Sequence, residues 1–115
     1  LAESHQDTQH IPDNLPYLYL TSLGWRTGNP HQIEIWFVAH QGHYYLVSEM
    51  REKSHWVRNI RHNPAVTFRV GERTFQGTSR VVDPAHEPQL AAEVSALMDA
   101  KYDWSDGLIV ELTPA

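Results

Sequence analysis

Residues 24–28, Gly-Trp-Arg-Thr-Gly, combine three kinds of anion donor: turn amides, the hydroxyl of Thr27 and the forked guanidinium of Arg26. The ligand such a set suits is a phosphate oxygen. Read alone, the same composition also describes an ordinary loop between strands with a solvated arginine. A second group fills residues 48–59, Ser-Glu-Met-Arg-Glu-Lys-Ser-His-Trp-Val-Arg-Asn. It leaves a strand end, crosses a charged loop and enters a helix, so free helix amides lie beside Arg51, Lys53 and Arg58. The plain alternative is a wet loop, with Trp56 and Ile60 in the core. Trp25, Trp36, Tyr44, Tyr45 and Trp56 lie in or next to the two stretches, where they either flank a planar ring or fill the interior.

Other chemistries find no support. The chain has no cysteine, which excludes disulfides, thiolate metal sites and a thiol nucleophile. It contains no G-x-S-x-G elbow, H-E-x-x-H helix, Walker lysine or G-x-G-x-x-G fingerprint. His40 and His43 share a turn, but no acidic or sulfur neighbour in sequence completes a first shell, so no metal site is expected. No catalytic residue is assigned; water, Tyr44, Tyr45 and the histidines all remain open as proton donors.

Fourteen acids against nine Lys and Arg give a net charge of −5, which argues against nucleic acid or an anionic membrane as the main partner. The distribution is uneven. Five of the nine cations fall between Arg26 and Arg61, opposed only by Glu34, Glu49 and Glu52, whereas from Asp83 onward seven acids face Lys101 alone. An acidic chain thus carries one basic region, suited to a small anionic ligand. No apolar run approaches the roughly 20 residues of a membrane span, and the polar start lacks a signal-peptide core, so a cytoplasmic location is expected.

The elements that position these groups follow from periodicity and punctuation. Length implies one domain. Residues 1–14 read as a mobile arm, because they are polar with almost nothing to bury, and residues 15–115 as a single domain. Strands are expected over 17–22, 31–39, 44–48, 65–70, 73–82 and 108–112. A short helix over 54–62 places Trp56, Val57 and Ile60 toward the sheet and His55, Asn59 and His62 on an outward polar stripe. Asp83-Pro84 marks the start of a longer helix with Leu90, Ala91, Val94, Leu97 and Met98 along one face. Six strands in hairpins with two helices make a mainly β (α+β) fold, a small antiparallel barrel.

The runs L-T-S-L-G-W-R-T-G-N-P-H, I-E-I-W-F and S-H-W-V-R-N-I-R-H-N-P-A-V-T-F-R-V-G, in that order, carry a family likeness. Over about residues 17–82 the chain resembles the deazaflavin-dependent nitroreductase and quinone reductase family, relatives of pyridoxamine-phosphate oxidase. The resemblance implies a split β-barrel of about six antiparallel strands and two helices, a homodimer, and an 8-hydroxy-5-deazaflavin coenzyme held in a groove; related branches use FMN. It also implies hydride transfer to a quinone, nitroaromatic or similar conjugated small molecule. An FMN-dependent oxidoreductase and a non-catalytic flavin or deazaflavin carrier are the alternatives.

Carried over position by position, the family's G-R-K-[ST]-G turn puts Trp25, Arg26 and Thr27 at the cofactor phosphate and tail. His31, Ile33, Glu34, Ile35 and Trp36 would run along the ring and ribityl chain. Val47, Ser48, Glu49 and Met50 would lie near tail and ring, and His55, Trp56, Val57, Arg58 and Asn59 would close the pocket. Four positions depart from the pattern: Trp25 replaces a basic residue, His31 a frequent Arg, Glu34 a common Pro and Met50 a common Lys. Each basic side chain lost is one fewer for the phosphate or the polyglutamate tail of deazaflavin, which keeps FMN, a phosphate without such a tail, in view.

Overall fold

A computed structural model describes residues 15–115; the expected arm, residues 1–14, lies outside the described residues. The elements are β1 (Leu18–Leu23), β2 (Pro30–Ile35), β3 (Phe37–His40), β4 (His43–Ser48), a 3-10 turn (Arg51–Lys53), α1 (His55–His62), β5 (Ala65–Val70), β6 (Arg73–Val81), α2 (Pro88–Tyr102) and β7 (Leu108–Pro114). All seven strands belong to one sheet in the order β2-β1-β5-β6-β7-β4-β3, and every neighbouring pair is antiparallel. The two edge strands, β2 and β3, are separated in the chain by Trp36 alone. Such a sheet must curl until its edges approach one another, which gives the split half-barrel.

That break corrects the single strand expected over 31–39. Ile35 pairs with Leu18 on one edge, while Phe37 pairs with Leu46 on the other. Between them, the Phe37 N–H donates to the Tyr102 hydroxyl (3.0 Å) and the Phe37 carbonyl accepts from Lys101 Nζ (2.9 Å). Side chains from α2 thus satisfy main-chain groups at the crossing, and the strand count becomes seven instead of six.

Turn chemistry fixes the hairpins. Gln41 (φ 52°) and Gly42 (φ 82°) are both left-handed, the combination that joins β3 to β4 through a two-residue primed turn. Asn63 is extended ahead of Pro64, whose ring disfavours a helical predecessor, and α1 ends there. The longer helix begins at Pro88, four residues later than expected. Asp83 holds a separate turn first: its carboxylate accepts from Ala85 N (2.9 Å) and its carbonyl from Glu87 N (2.9 Å).

Two apolar clusters lie on opposite faces of the sheet. One, inside the curl, joins Leu18, Leu20, Phe37, Leu46, Phe68 and Leu112 with Ile60 of α1. The other joins Val38, Val47, Val82 and Ile109 to Ala91, Val94 and Met98 of α2. Burying each of these large aliphatic side chains stabilises the fold by about 1.5–3 kcal/mol before entropy is counted. Strand β4 serves both clusters, with Tyr44 turned to the first and Tyr45 to the second, each 2% exposed. Neither tyrosine flanks a ligand groove, which removes both as proton donors.

One carboxylate is buried within this frame. Glu111 of β7 accepts from Arg80 Nε (2.8 Å) and from the Tyr45 hydroxyl (2.7 Å), and Arg80 also pairs with Glu87 (2.6 Å). Burial pushes the Glu111 carboxyl up, but the bonds from Arg80 and Tyr45 outweigh it and the net shift is below the ordinary value. Burial, with the Glu111 bond, holds the Tyr45 phenol well above its own.

Candidate functional site

The turn between β1 and β2 is closed by its own main chain. Gly24 N donates to Asn29 O (2.7 Å), Gly28 N to Gly24 O (2.8 Å), and Asn29 N to Thr27 Oγ1 (3.1 Å). Four of its amides are therefore already used, because Trp25 N donates to Asn59 Oδ1 (3.0 Å). Within this turn only the amides of Arg26 and Thr27 keep no acceptor among the described residues, so the turn does not present all its amides to one point.

Asn59 is what ties this turn to α1. Its amide receives the Trp25 N–H and donates to Ser22 Oγ (3.1 Å), leaving it 4% exposed. The outward stripe expected of α1 is thus interrupted: His55 and His62 are exposed, and Asn59 is a buried clamp. Clamping brings α1 against the turn. The His62 ring lies 5.2 Å from Trp25, and the Arg26 guanidinium lies over the same indole, 4.4 Å from a ring centroid.

The result is a groove of about 590 Å³ between the β1–β2 turn, the start of β2 and α1. Trp25, Arg26, Thr27, His31 and Ile33 form one side; His55, Trp56, Arg58 and Asn59 form the other. Among the described residues no Asp or Glu lines it. Among the described residues neither Arg26 nor Arg58 has a carboxylate partner, so two permanent cations face one cavity uncompensated.

A second groove, of about 520 Å³, adjoins it across Trp56, which lines both. Its walls include Glu34, Ile35 and Trp36 from the β2–β3 crossing and Val47, Ser48, Glu49 and Met50 from the end of β4. Trp36 stacks on Tyr102, with centroids 4.4 Å apart, and meets Trp104 edge-on at 6.1 Å. Buried Ser48 donates to Arg51 O (3.0 Å) and lies 2.6 Å from Ser54 Oγ. A side chain at Gly107 would strike the Ser48 carbonyl, so glycine there lets the backbone approach β4 closely.

Of the positions carried over from the family pattern, Val57 alone lines neither groove; Arg51 and Lys53, singled out for their charge, line neither as well. A helix turns about 100° per residue, and the step from Trp56 carries Val57 into the interior, where it is fully buried. Sequence reasoning missed Ser22 and Gln32 in the first groove and Trp104 in the second; Gly24 and Ser54, which also line them, lay within the two stretches named from sequence. Gln32 lies between His31 and Ile33, both already named, and Ser22 lies in the first run that carries the family likeness. Trp104 had only one signal, an aromatic residue just after an acidic helix.

The histidines of the β3–β4 turn are taken up separately. His40 Nε2 lies 3.0 Å from Glu93 Oε1 and His43 Nδ1 3.0 Å from Thr113 Oγ1. Among the described residues no three His, Asp or Glu side chains gather as a metal site, and no helix is long and apolar enough to cross a membrane.

An anion-receptive groove thus continues into an aromatic one. No curated protein matches the chain. Solved structures share its fold: the heme storage protein HutZ from Vibrio cholerae (19% identity, TM-score 0.73, 99% of this chain and 89% of that one); an F420-H2 dependent reductase, FDR-A (24%, 0.59, 90% and 97%); and a candidate pyridoxamine 5′-phosphate oxidase from Listeria innocua (16%, 0.67, 99% and 94%). These likenesses speak for the split-barrel fold. The family model described as F420H(2)-dependent quinone reductase matches residues 3–106, nearly the whole chain, and the chain belongs to that family.

Proposed function

We propose that this chain is a deazaflavin-dependent reductase that passes a hydride to a quinone, nitroaromatic or similar conjugated acceptor. One observation carries the reading: Arg26 and Arg58, both without a carboxylate partner among the described residues, line a groove that meets a tryptophan-walled groove at Trp56. Family membership supplies the cofactor class, and the donor set fits it.

Arg26 and Arg58 would hold the phosphate by charge-assisted bonds, joined by the free amides of Arg26 and Thr27. Trp56 would mark the passage from phosphate to ring. Trp36 and Trp104, with Ile35 and Val47, offer apolar walls that exclude water and orient a flat acceptor. When bound, the reduced deazaflavin supplies the hydride. The acceptor gains that hydride and one proton, and no buried acid–base dyad lines the grooves, so solvent is the simplest proton source.

Fluorescence titration of the full chain with deazaflavin and with FMN tests the cofactor, and turnover with a panel of quinones and nitroaromatics tests the reaction. Saturable binding of deazaflavin with reduction of at least one acceptor is expected. Yellow protein that releases FMN on denaturation would point to the FMN enzyme, and tight binding without turnover to a carrier. A homodimer belongs to the same reading, since Trp25, Trp36 and Met50 are large and exposed. Light scattering that finds only the 13.2 kDa monomer at working concentration would remove it.

A further inference from the structure

We propose that the groove recognises a single phosphate and leaves an acidic cofactor tail unbound, so that affinity for deazaflavin does not increase with the glutamates it carries. This rests on the cofactor reading above. All nine Lys and Arg side chains fall within the described residues, so the positions open to a polyanion can be followed one by one.

Arg26 and Arg58 face the first groove. Two guanidinium groups balance the two charges of a phosphate monoester, and their forks take up the non-bridging oxygens of a diester. Arg51 is engaged with Asp106 (3.1 Å), Arg61 lies 3.9 Å from Glu52, and Arg80 bridges Glu87 and Glu111. Arg69 lies over Tyr19 and donates to Gly71 O, and Arg73 lies over Phe75, both at the β5–β6 hairpin. Lys101 is bonded to the Phe37 carbonyl at the end of α2. Lys53 is exposed but lines neither groove, and Glu52 is its chain neighbour.

The second groove is no refuge for negative charge either. Glu34 and Glu49 line it, and among the described residues no Lys, Arg or His does. A carboxylate tail threaded that way would meet like charge across a wall of tryptophans. Residues 1–14 add three acids and no Lys or Arg to the chain. The basic region counted in the sequence therefore resolves into one two-arginine site, two surface ion pairs and Lys53, which lies outside both grooves.

The test compares the full chain binding two probes: deazaflavin coenzyme carrying its glutamate tail, and the same coenzyme trimmed of every glutamate. Quenching titrations are run at low and moderate salt. The expected result is dissociation constants within about threefold of each other, or weaker binding of the tailed form, with the same salt dependence for both because the same two cations are screened. Arg26→Ala should weaken both forms by the same factor, and Lys53→Gln neither. Tailed coenzyme binding tenfold or more tightly, with a steeper salt dependence, overturns the inference and leaves the cofactor reading standing. Failure of both forms to bind overturns the cofactor reading as well.

Discussion

Trp36 and Tyr102 lie face to face, with ring centroids 4.4 Å apart and planes 2° from parallel. The same tyrosine accepts from Phe37 N (3.0 Å) and has the carbonyls of Pro16 (2.8 Å) and Phe37 (3.0 Å) as acceptors for its own proton. The last turn of α2 therefore fixes both the strand break and the exposed tryptophan beside it. Burial pushes the Tyr102 phenol above its ordinary value, which keeps that proton in place at neutral pH.

Tyr102→Phe keeps the ring and deletes the hydroxyl, leaving Phe37 N–H without its acceptor. We expect a loss of about 1–3 kcal/mol in urea denaturation, with Trp36 still stacked. Tyr102→Leu should also free Trp36, raising KM for a conjugated acceptor while leaving cofactor affinity unchanged. A KM equal to that of the wild type would separate the stack from the acceptor groove.

Arg26→Ala and Arg58→Ala should each weaken cofactor binding by about 1–3 kcal/mol, the range of a hydrogen bond to a charged group. Calorimetry or fluorescence titration reads the change. Unaltered affinity in either variant, with the fold intact, would take that arginine out of the site.

Glu111 gives the fold a calculable response to acid. Its folded carboxyl titrates below the ordinary value, so its contribution is full above the unfolded value, near about pH 4.3, and is lost as pH falls through the folded one. Denaturation midpoints followed from neutral to acidic pH should fall more steeply in this window for the wild type than for Glu111→Gln. Parallel curves would show that Arg80 and Tyr45 do not stabilise the ionised form.

Tyr44 presents the opposite case. Its hydroxyl is buried with no hydrogen-bond partner among the described residues, and burial has pushed its phenol up to about 12. Its ring packs against Phe37, Phe68 and Phe75, contacts that Tyr44→Phe retains. Removing the unpaired hydroxyl should stabilise the protein by about 1 kcal/mol, visible as a higher urea midpoint. A clear loss of stability would reveal a partner for that oxygen.

Gly107→Ala should destabilise the chain, because the added carbon meets the carbonyl of Ser48 and the side chain of Val47. The damage should reach the second groove, which both residues line. Acceptor turnover is expected to fall along with the denaturation midpoint; lost stability with unchanged turnover would confine the effect to packing.

Local patterns settled much of this protein. Alternation placed Leu18 and Leu20 inside β1, glycine and proline marked the hairpins and the end of α1, and the apolar stripe of α2 lies where its period put it. The family likeness grouped Arg26, Trp56 and Arg58, and the fold brings them to one groove because β1, which leads into the turn, pairs with β5, which follows α1. What sequence could not decide depended on groups distant along the chain. Tyr102 ends β2 at Trp36 from 65 residues beyond Phe37, and Trp104 joins the second groove from outside any recognisable run. Asn59 became a clamp because Ser22 and Trp25 came within reach of its amide, and Arg51 paired with Asp106, 55 residues away. Periodicity records which face of an element is apolar; which polar groups find each other across elements is settled only when the sheet curls and buries them together, because a buried donor must take whatever acceptor the closed fold brings near.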